Sequence, residues 1–452
     1  MLKRLTLILL TSGALLSCNA PEGGSEYSEG LLAERPPMGW NSWICFGTSV
    51  TEAEVKANAD FMAEHLKRYG WEYIVIDAGW YAPGMVNIGQ YESEHPEQLI
   101  DSYGRLRVDE AKFPSAAGGK GLKPLADYIH SKGLKLGIHI MRGIPIQAVE
   151  TDCPVKGSDA TAADIADTDS RCDWYHGFYG IDMTRPGAQE YYDSLVELYT
   201  SWDIDYIKAD DMLSPVYAVD EIDALSEALS KSDRDMVLSL SPGPAPVENV
   251  RHLRKSGQLW RISEDFWDNW ESLKKQFEIC RRWQDYVRPG SWPDADMLPI
   301  GPMAQRAMRG KPRSSNFTED EQMTMMSLWA MFRSPLMIGC NMPEMDEFTL
   351  SLLTNEDLIK INQTSTGNRE LYSENGIIVW YAHDTGCTEF YVAVFNTNDE
   401  AVGNYEFQLS RINLLGNARC KDLWSGSENV IDDGCADFPI NAHGVRLLKL
   451  SY

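Results

Sequence analysis

From residue 36 to about 365 short apolar runs alternate with longer amphipathic stretches, so the hydrophobic period switches repeatedly between 2 and 3.6. Eight runs have strand character: Met38 to Trp43, Trp71 to Trp80, Leu134 to Arg142, Ile204 to Met212, Met236 to Pro242, Leu259 to Phe266, Asp294 to Gly301 and Pro335 to Cys340. Helical stretches fall between and after them at Glu52 to Tyr69, Leu122 to Lys132, Gly187 to Ser201, Val219 to Ser230, Asn249 to Lys255, Trp267 to Tyr286, Thr318 to Phe332 and Met345 to Ile361. A strand followed by a helix, repeated, implies parallel pairing, and eight such units predict an α/β fold, the (β/α)8 TIM barrel, over residues 35–365. Past residue 366 the helical period stops. Gly376 to Tyr381, Thr388 to Phe395, Tyr405 to Leu409 and Val445 to Leu450 alternate between Gly, Asn and Asp turns, which predicts a small antiparallel β-sandwich over 366–452. Two connections, 82–119 and 144–185, are too long to be simple turns; following strands, they lie on the barrel face where substrate clefts are built.

The first residues do not belong to this rhythm. Lys3 and Arg4 precede an apolar run from Leu5 to Ser17, too short to span a bilayer but the length of a signal-peptide core, so residues 1–17 are expected to be removed. Leu15-Leu16-Ser17-Cys18 resembles the lipobox of bacterial lipoproteins, in which Cys18 would be acylated, and residues 18–34 read as a flexible polar tether. The expected location is the periplasm or cell surface of a Gram-negative bacterium, with the lipid on Cys18 as sole membrane contact. Across 452 residues, 41 Lys and Arg face 67 Asp and Glu, a net charge of −26 that repels nucleic-acid phosphates. Export permits disulfides, and Cys153 with Cys172 and Cys420 with Cys435 each close a short loop, whereas Cys45, Cys280, Cys340 and Cys387 have the apolar neighbours of free thiols. With no CxxC and no clustered His, a zinc site has no support.

Acids stand where strands run out: Asp77 after Tyr-Ile-Val-Ile, Asp210 after Tyr-Ile-Lys-Ala, Asp265 after Arg-Ile-Ser-Glu, and Asp296 in Pro-Asp-Ala-Asp. One such Asp reads as a helix N-cap, but four on one barrel mouth repel one another unless a ligand or mechanism uses them. Alternation puts Tyr206, Lys208 and Asp210 on one face, leaving Asp211 as the expected N-cap, and likewise groups Arg261, Ser263 and Asp265. Two carboxylates at one mouth suit glycoside hydrolysis, one attacking the anomeric carbon and one protonating the leaving oxygen. Of the tryptophans near strand ends (Trp40, Trp43, Trp80, Trp260, Trp267, Trp292), some stack on sugar and others are core.

Pro36-Pro37-Met38-Gly39-Trp40-Asn41-Ser42-Trp43, Tyr73 to Asp77, Leu136-Gly137-Ile138, Tyr206 to Asp210, Arg261 with Asp265, and Asp294-Ala295-Asp296-Met297-Leu298 together resemble glycoside hydrolase family 27, the α-galactosidases and α-N-acetylgalactosaminidases. The resemblance implies a retaining exo-glycosidase for terminal α-D-galactosyl residues that needs no cofactor or metal, with Asp210 as nucleophile and Asp265 as acid/base. It places Trp43, Asp77, His139, Lys208, Ser241, Arg261 and Asp296 around the sugar. Lys208 would keep Asp210 ionised. Departures from the family pattern open the substrate question: Ala78 stands where many α-galactosidases carry a second Asp, His139 where Tyr is common, and Ser239 to Ala245 offers small residues where galactose-selective members are bulky. An α-N-acetylgalactosaminide and a β-L-arabinopyranoside are the alternative substrates. A glycan-binding lipoprotein without turnover is the rival class, and would lack one of the two catalytic Asp residues.

Overall fold

The computed structural model describes residues 31–84, 93–306 and 310–452. The leader, Cys18 and residues 18–30 of the tether lie outside the described residues. Eight parallel strands form one curled sheet: β1 (Met38–Asn41), β2 (Tyr73–Ile76), β3 (Lys135–Met141), β4 (Tyr206–Asp210), β5 (Val237–Leu240), β6 (Leu259–Arg261), β7 (Trp292–Asp294) and β8 (Leu336–Ile338). They lie in the order β7-β6-β5-β4-β3-β2-β1-β8. Leu298, just past β7, bridges Ile338 of β8 in parallel, and its N–H donates to Met337 at 2.7 Å, which joins the two edges into a barrel. Helices α1 (Glu52–Phe61), α2 (Lys123–Ser131), α3 (Ala188–Ser201), α4 (Val219–Ser230), α5 (Val250–Ser256), α6 (Trp270–Trp283), α7 (Glu319–Phe332) and α8 (Glu356–Thr364) surround it. Covered on both faces, β1 and β2 are buried throughout, which is why such strands read as continuous apolar runs.

Strand ends differ from the sequence reading where proline intervenes. Pro242 and Pro244 have no N–H to extend the ladder, so β5 stops at Leu240 and β6, deprived of its neighbour, stops at Arg261 instead of running to Phe266. Strand β7 begins at Trp292, two residues before the expected Asp294, because Pro293 is tolerated within it opposite Trp260. The 144–185 connection folds into its own three-stranded antiparallel sheet of Ile144–Pro145, Ala166–Arg171 and Phe178–Ile181.

After α8 the chain enters the antiparallel domain: β9 (Thr366–Glu374), β10 (Ile377–His383), β11 (Glu389–Asn396), β12 (Val402–Gln408), β13 (Ala418–Asp422), β14 (Glu428–Ile431), β15 (Cys435–Ile440) and β16 (Val445–Ser451). A six-stranded sheet, β9-β10-β11-β16-β13-β14, packs on the β12-β15 pair through Val379, Val392, Phe407, Leu409 and Leu450. Helix α7 joins the two domains. From Thr324 to Phe332 it is buried on every side, its apolar surface divided between barrel and sandwich. Both expected disulfides are corrected: Cys153, Cys172, Cys420 and Cys435 are free thiols. Cys153 faces Thr151 and the Gly104 turn while Cys172 faces Asp211, and Cys420 and Cys435 belong to different sheets. Cys45, Cys280 and Cys340 are buried free thiols, as expected.

Candidate active site

Strand parity builds the barrel interior in two layers. Tyr73 and Val75, Tyr206, Val237, Leu259, Trp292 and Met337 form a closed apolar cluster in the lower barrel. One or two positions further along the same inward faces come Asp77, Lys208 and Asp210, Ser239 and Ser241, Arg261 and Asp294, so the upper layer, at the C-terminal mouth, is charged. On β3 the lower position is Gly137, where a Cβ would lie 3.0 Å from both Tyr206 Cβ and Val75 Cγ2; the glycine admits the Tyr206 ring. The next inward residue, His139, stands in register with Lys208 and thence Ser239.

Asp77 is sealed at 2% exposure and fully bonded. Lys208 Nζ donates to its Oδ2 at 2.8 Å, Asn41 Nδ2 to the same oxygen at 2.7 Å, and the Ala78 N–H to Oδ1 at 2.9 Å. Burial alone would raise its pKa, but Lys208 and His139 outweigh burial and hold it well below the carboxylate range. Asn41, absent from the predicted set, also receives the Trp43 N–H at 2.8 Å. It was findable, since it pairs with inward Val75 and ends β1 on the inward face. Trp43 and Trp267 are half-buried; Trp40, Trp80, Trp260 and Trp292 are core, which removes four of the six candidate sugar platforms.

Asp210 is held differently from the expectation. Lys208 bonds Asp77 and acts on Asp210 only through its field; the direct donors to Asp210 are His139 Nε2 at 3.2 Å and Ser241 Oγ at 3.0 Å. Burial raises the Asp210 pKa, while the His139 hydrogen bond and the His139 and Lys208 charges lower it further, leaving the group below its ordinary value. Asp265 lies on a loop and not on a strand, so alternation does not place it. Its side chain is 57% exposed and meets Arg261 Nη2 at 3.5 Å. The same Arg261 nitrogen pairs with Asp296 Oδ2 at 2.7 Å and donates to the Ser263 carbonyl. Asp296 takes φ +87° and accepts the Phe266 and Met297 N–H groups, which fixes the loop next to Asp265. Behind it, burial lifts Asp294 to about 6 against the pull of Arg261.

Asp211 is not a helix cap. The α4 N-cap is Ala218, whereas Asp211 is buried at φ +61° and accepts from Arg142 at 2.8 Å. Arg142 reaches on to Glu221 at 2.6 Å, so this network ties β3 to α4 behind the mouth. Between it and the 166–171 strand lies a cavity of about 380 Å³ lined also by Asp169, Arg171 and Val216, a wall supplied by one of the two long connections. Among the described residues no three His, Cys, Asp or Glu side chains are grouped as metal ligands would be.

The family profile described as "Alpha galactosidase A" matches residues 35–167 and 172–364, and that described as "Alpha galactosidase C-terminal beta sandwich domain" matches 374–450. A solved structure titled a GH27 β-L-arabinopyranosidase, from Geobacillus stearothermophilus, is 45% identical, with a TM-score of 0.90 and coverage of 93% of this chain and 97% of that one. The chain belongs to glycoside hydrolase family 27. Alpha-galactosidase 2 of Arabidopsis thaliana is 30% identical over 402 residues, 88% of this chain and 84% of the relative. A proposed α-N-acetylgalactosaminidase from Bacillus halodurans is 44% identical with a TM-score of 0.83, covering 94% and 100%. This family 27 member is therefore a glycoside hydrolase with a carbohydrate substrate. At its points of departure, Ala78 is 1% exposed and packs in the core, and Ser241 is buried with its hydroxyl spent on Asp210.

Proposed function

We propose that this family 27 enzyme removes terminal α-D-galactosyl residues by double displacement. Asp210 Oδ attacks the anomeric carbon while Asp265 gives its proton to the departing oxygen; water, deprotonated by Asp265, then cleaves the glycosyl ester. The observation that carries the assignment is the contrast between the two acids. Asp210 is enclosed, held by His139 and Ser241 and kept ionised, whereas Asp265 stands at 57% exposure above the mouth, reachable by solvent and leaving group. Asp77, Lys208, Arg261 and Asp296 bind hydroxyls, and half-buried Trp43 supplies an apolar platform. The curated α-galactosidase relatives support the galactoside.

A second reading has its own observation. Ala78 stands where many α-galactosidases carry a second Asp, and arabinopyranose is galactose without C6, which suits the likeness to the Geobacillus enzyme. Nitrophenol release from α-galactoside, β-L-arabinopyranoside, α-N-acetylgalactosaminide and α-glucoside in parallel decides between them. Turnover of the galactoside above the others supports the first reading; preference for the pentoside replaces it with the second. Asp210→Asn must abolish turnover of whichever glycoside is cleaved, with thermal unfolding unchanged. Export as a lipoprotein rests on the Lys3-Arg4 start, the Leu5 to Ser17 core and the lipobox ending at Cys18, and loss of palmitate labelling in Cys18→Ser tests it.

A further inference from the structure

The loop from Ile262 to Asn269 carries Asp265 and is pinned at both ends. At the near end Phe266 gives its N–H to Asp296 and packs its ring 5.0 Å from Trp329. At the far end Asp268 takes both Arg313 Nη atoms and the Asn316 N–H, Asn269 caps α6 through the Ser272 N–H, and Trp270 opens the helix. The surface on which Trp270 rests belongs to the other domain. His443, in the turn between β15 and β16, stacks flat on its indole, the ring centroids 3.8 Å apart and the planes 10° from parallel.

His443 is itself tightly held. Its Nδ1 is 2.8 Å from Glu321 and its Nε2 3.0 Å from Asp399; its carbonyl accepts from Thr324 Oγ1 at 2.7 Å, and nearby Asn441 donates to Asp320 at 3.0 Å. It occupies the left-handed region at φ +56°, where a β-carbon is disfavoured unless surrounding contacts demand the position. The turn is thus a fixed abutment on the first turn of α7, and the Asp265 loop ends against it. Asp265 needs such support. Its one ion-pair contact among the described residues is the 3.5 Å approach of Arg261, and Arg261 is engaged more closely by Asp296 at 2.7 Å.

We propose that His443 is a positioning residue for Asp265: through the stack on Trp270 the C-terminal domain sets where that carboxylate stands against the leaving oxygen. This rests on the assignment of Asp265 as the acid. A sugar leaving group departs as an alcohol and needs the proton, while nitrophenolate leaves without one, so misplacing the acid slows the first and spares the second. A structural defect slows both.

The test measures kcat/KM, which reports the glycosylation step, for a nitrophenyl α-galactoside and for a galactosyl disaccharide, with thermal unfolding alongside. His443→Asn keeps a residue type at ease with positive φ and removes the ring; Trp270→Leu removes the other half of the stack; His443→Phe restores a flat ring without the nitrogens. The expected result is a loss of about tenfold on the disaccharide and under about twofold on the nitrophenyl substrate for His443→Asn and Trp270→Leu, with most of the loss recovered in His443→Phe. Equal losses on both substrates, or none on the disaccharide, overturn the proposal. Asp265→Ala is the reference: if it discriminates between the two leaving groups and the His443 and Trp270 variants do not, the positioning role alone falls. If Asp265→Ala does not discriminate, the acid assignment falls and the positioning role with it.

Discussion

His139→Phe isolates what one imidazole contributes to the proposed nucleophile. The ring is 1% exposed, its Nε2 lies 3.2 Å from Asp210 Oδ2, and its Nδ1 is buried without a partner among the described residues. Phe fills similar volume, deletes the donor and also deletes the unsatisfied nitrogen, so packing is kept and part of the lost hydrogen bond is offset. A hydrogen bond to a charged group is worth about 1.5 to 3 kcal/mol, so kcat/KM should fall by about ten- to a hundredfold if the bond is realised in the transition state. The pH profile carries the distinctive sign. Burial pushes Asp210 up and His139 is the foremost group holding it down, so without His139 the carboxylate protonates at higher pH and the acid limb of kcat/KM moves to higher pH. Stability follows by linkage. A depressed carboxylate stabilises the fold above its unfolded pKa of about 4, a contribution lost as pH falls through the folded value, so the parent's advantage from this bond shrinks in acid. An acid limb that stays in place, or moves down, refutes the assignment of His139 as a donor to Asp210.

Arg142→Met leaves Asp211 and Glu221 buried without their cation and should cost about 3 to 5 kcal/mol in denaturant unfolding. Burial lifts Asp211 to about 7 despite Arg142, so the folded state holds this proton more tightly than the unfolded state and stability falls as pH rises from about 4 to about 7. Asp211→Asn should flatten that part of the pH–stability curve, read from melts across the same window. Ala78→Asp places a carboxylate at a site 1% exposed; it should lower the melting temperature and raise the galactoside to arabinopyranoside ratio of kcat/KM.

How far the sequence discloses this site depends on whether a residue's direction is decided locally. Asp77, Lys208 and Asp210 sit on or just past regular strands, where alternation alone turns them inward, and Asn41 obeys the same rule. Asp211 does not: one residue beyond β4 it adopts positive φ, and its partner Arg142 comes from just past the end of β3, 69 positions away. Asp265 and Asp296 lie on loops whose shape comes from long-range contacts, the Phe266 N–H on Asp296 and the Trp329 Nε1–H on the Asp296 carbonyl, which no local pattern encodes. The tryptophans show the same limit, because composition marks them as sugar platforms or core without saying which, and packing assigns Trp40, Trp80, Trp260 and Trp292 to the core. In the sandwich, β9, β13, β14 and β15 are not marked by an apolar alternation: β9 and β14 are mostly exposed or half-buried, β15 has Pro439 within it, and the buried face of β13 is Ala418, Cys420 and the polar Asp422.

The charges at the mouth are arranged so that its cations are occupied before any ligand arrives. Lys208 is committed to Asp77 at 2.8 Å and Arg261 to Asp296 at 2.7 Å, each pair enclosed by the barrel. Both acids are thereby fixed in position; Lys208 and His139 hold Asp77 ionised, whereas burial raises Asp296 against the pull of Arg261. Asp210 has no Lys or Arg within ion-pair distance among the described residues; it is steadied by His139 and Ser241 and feels Lys208 only through the field. A direct ammonium or guanidinium contact would lower its pKa further but would also engage the lone pairs with which the proposed nucleophile would attack. Field stabilisation by committed cations, with weaker direct donors, keeps the carboxylate charged and its electrons available. The same division explains why Lys208 is suited to this layer and not to Schiff-base chemistry: bonded to Asp77 and raised above its ordinary pKa by Asp77 and Asp210 in spite of burial, its amine is protonated and cannot attack.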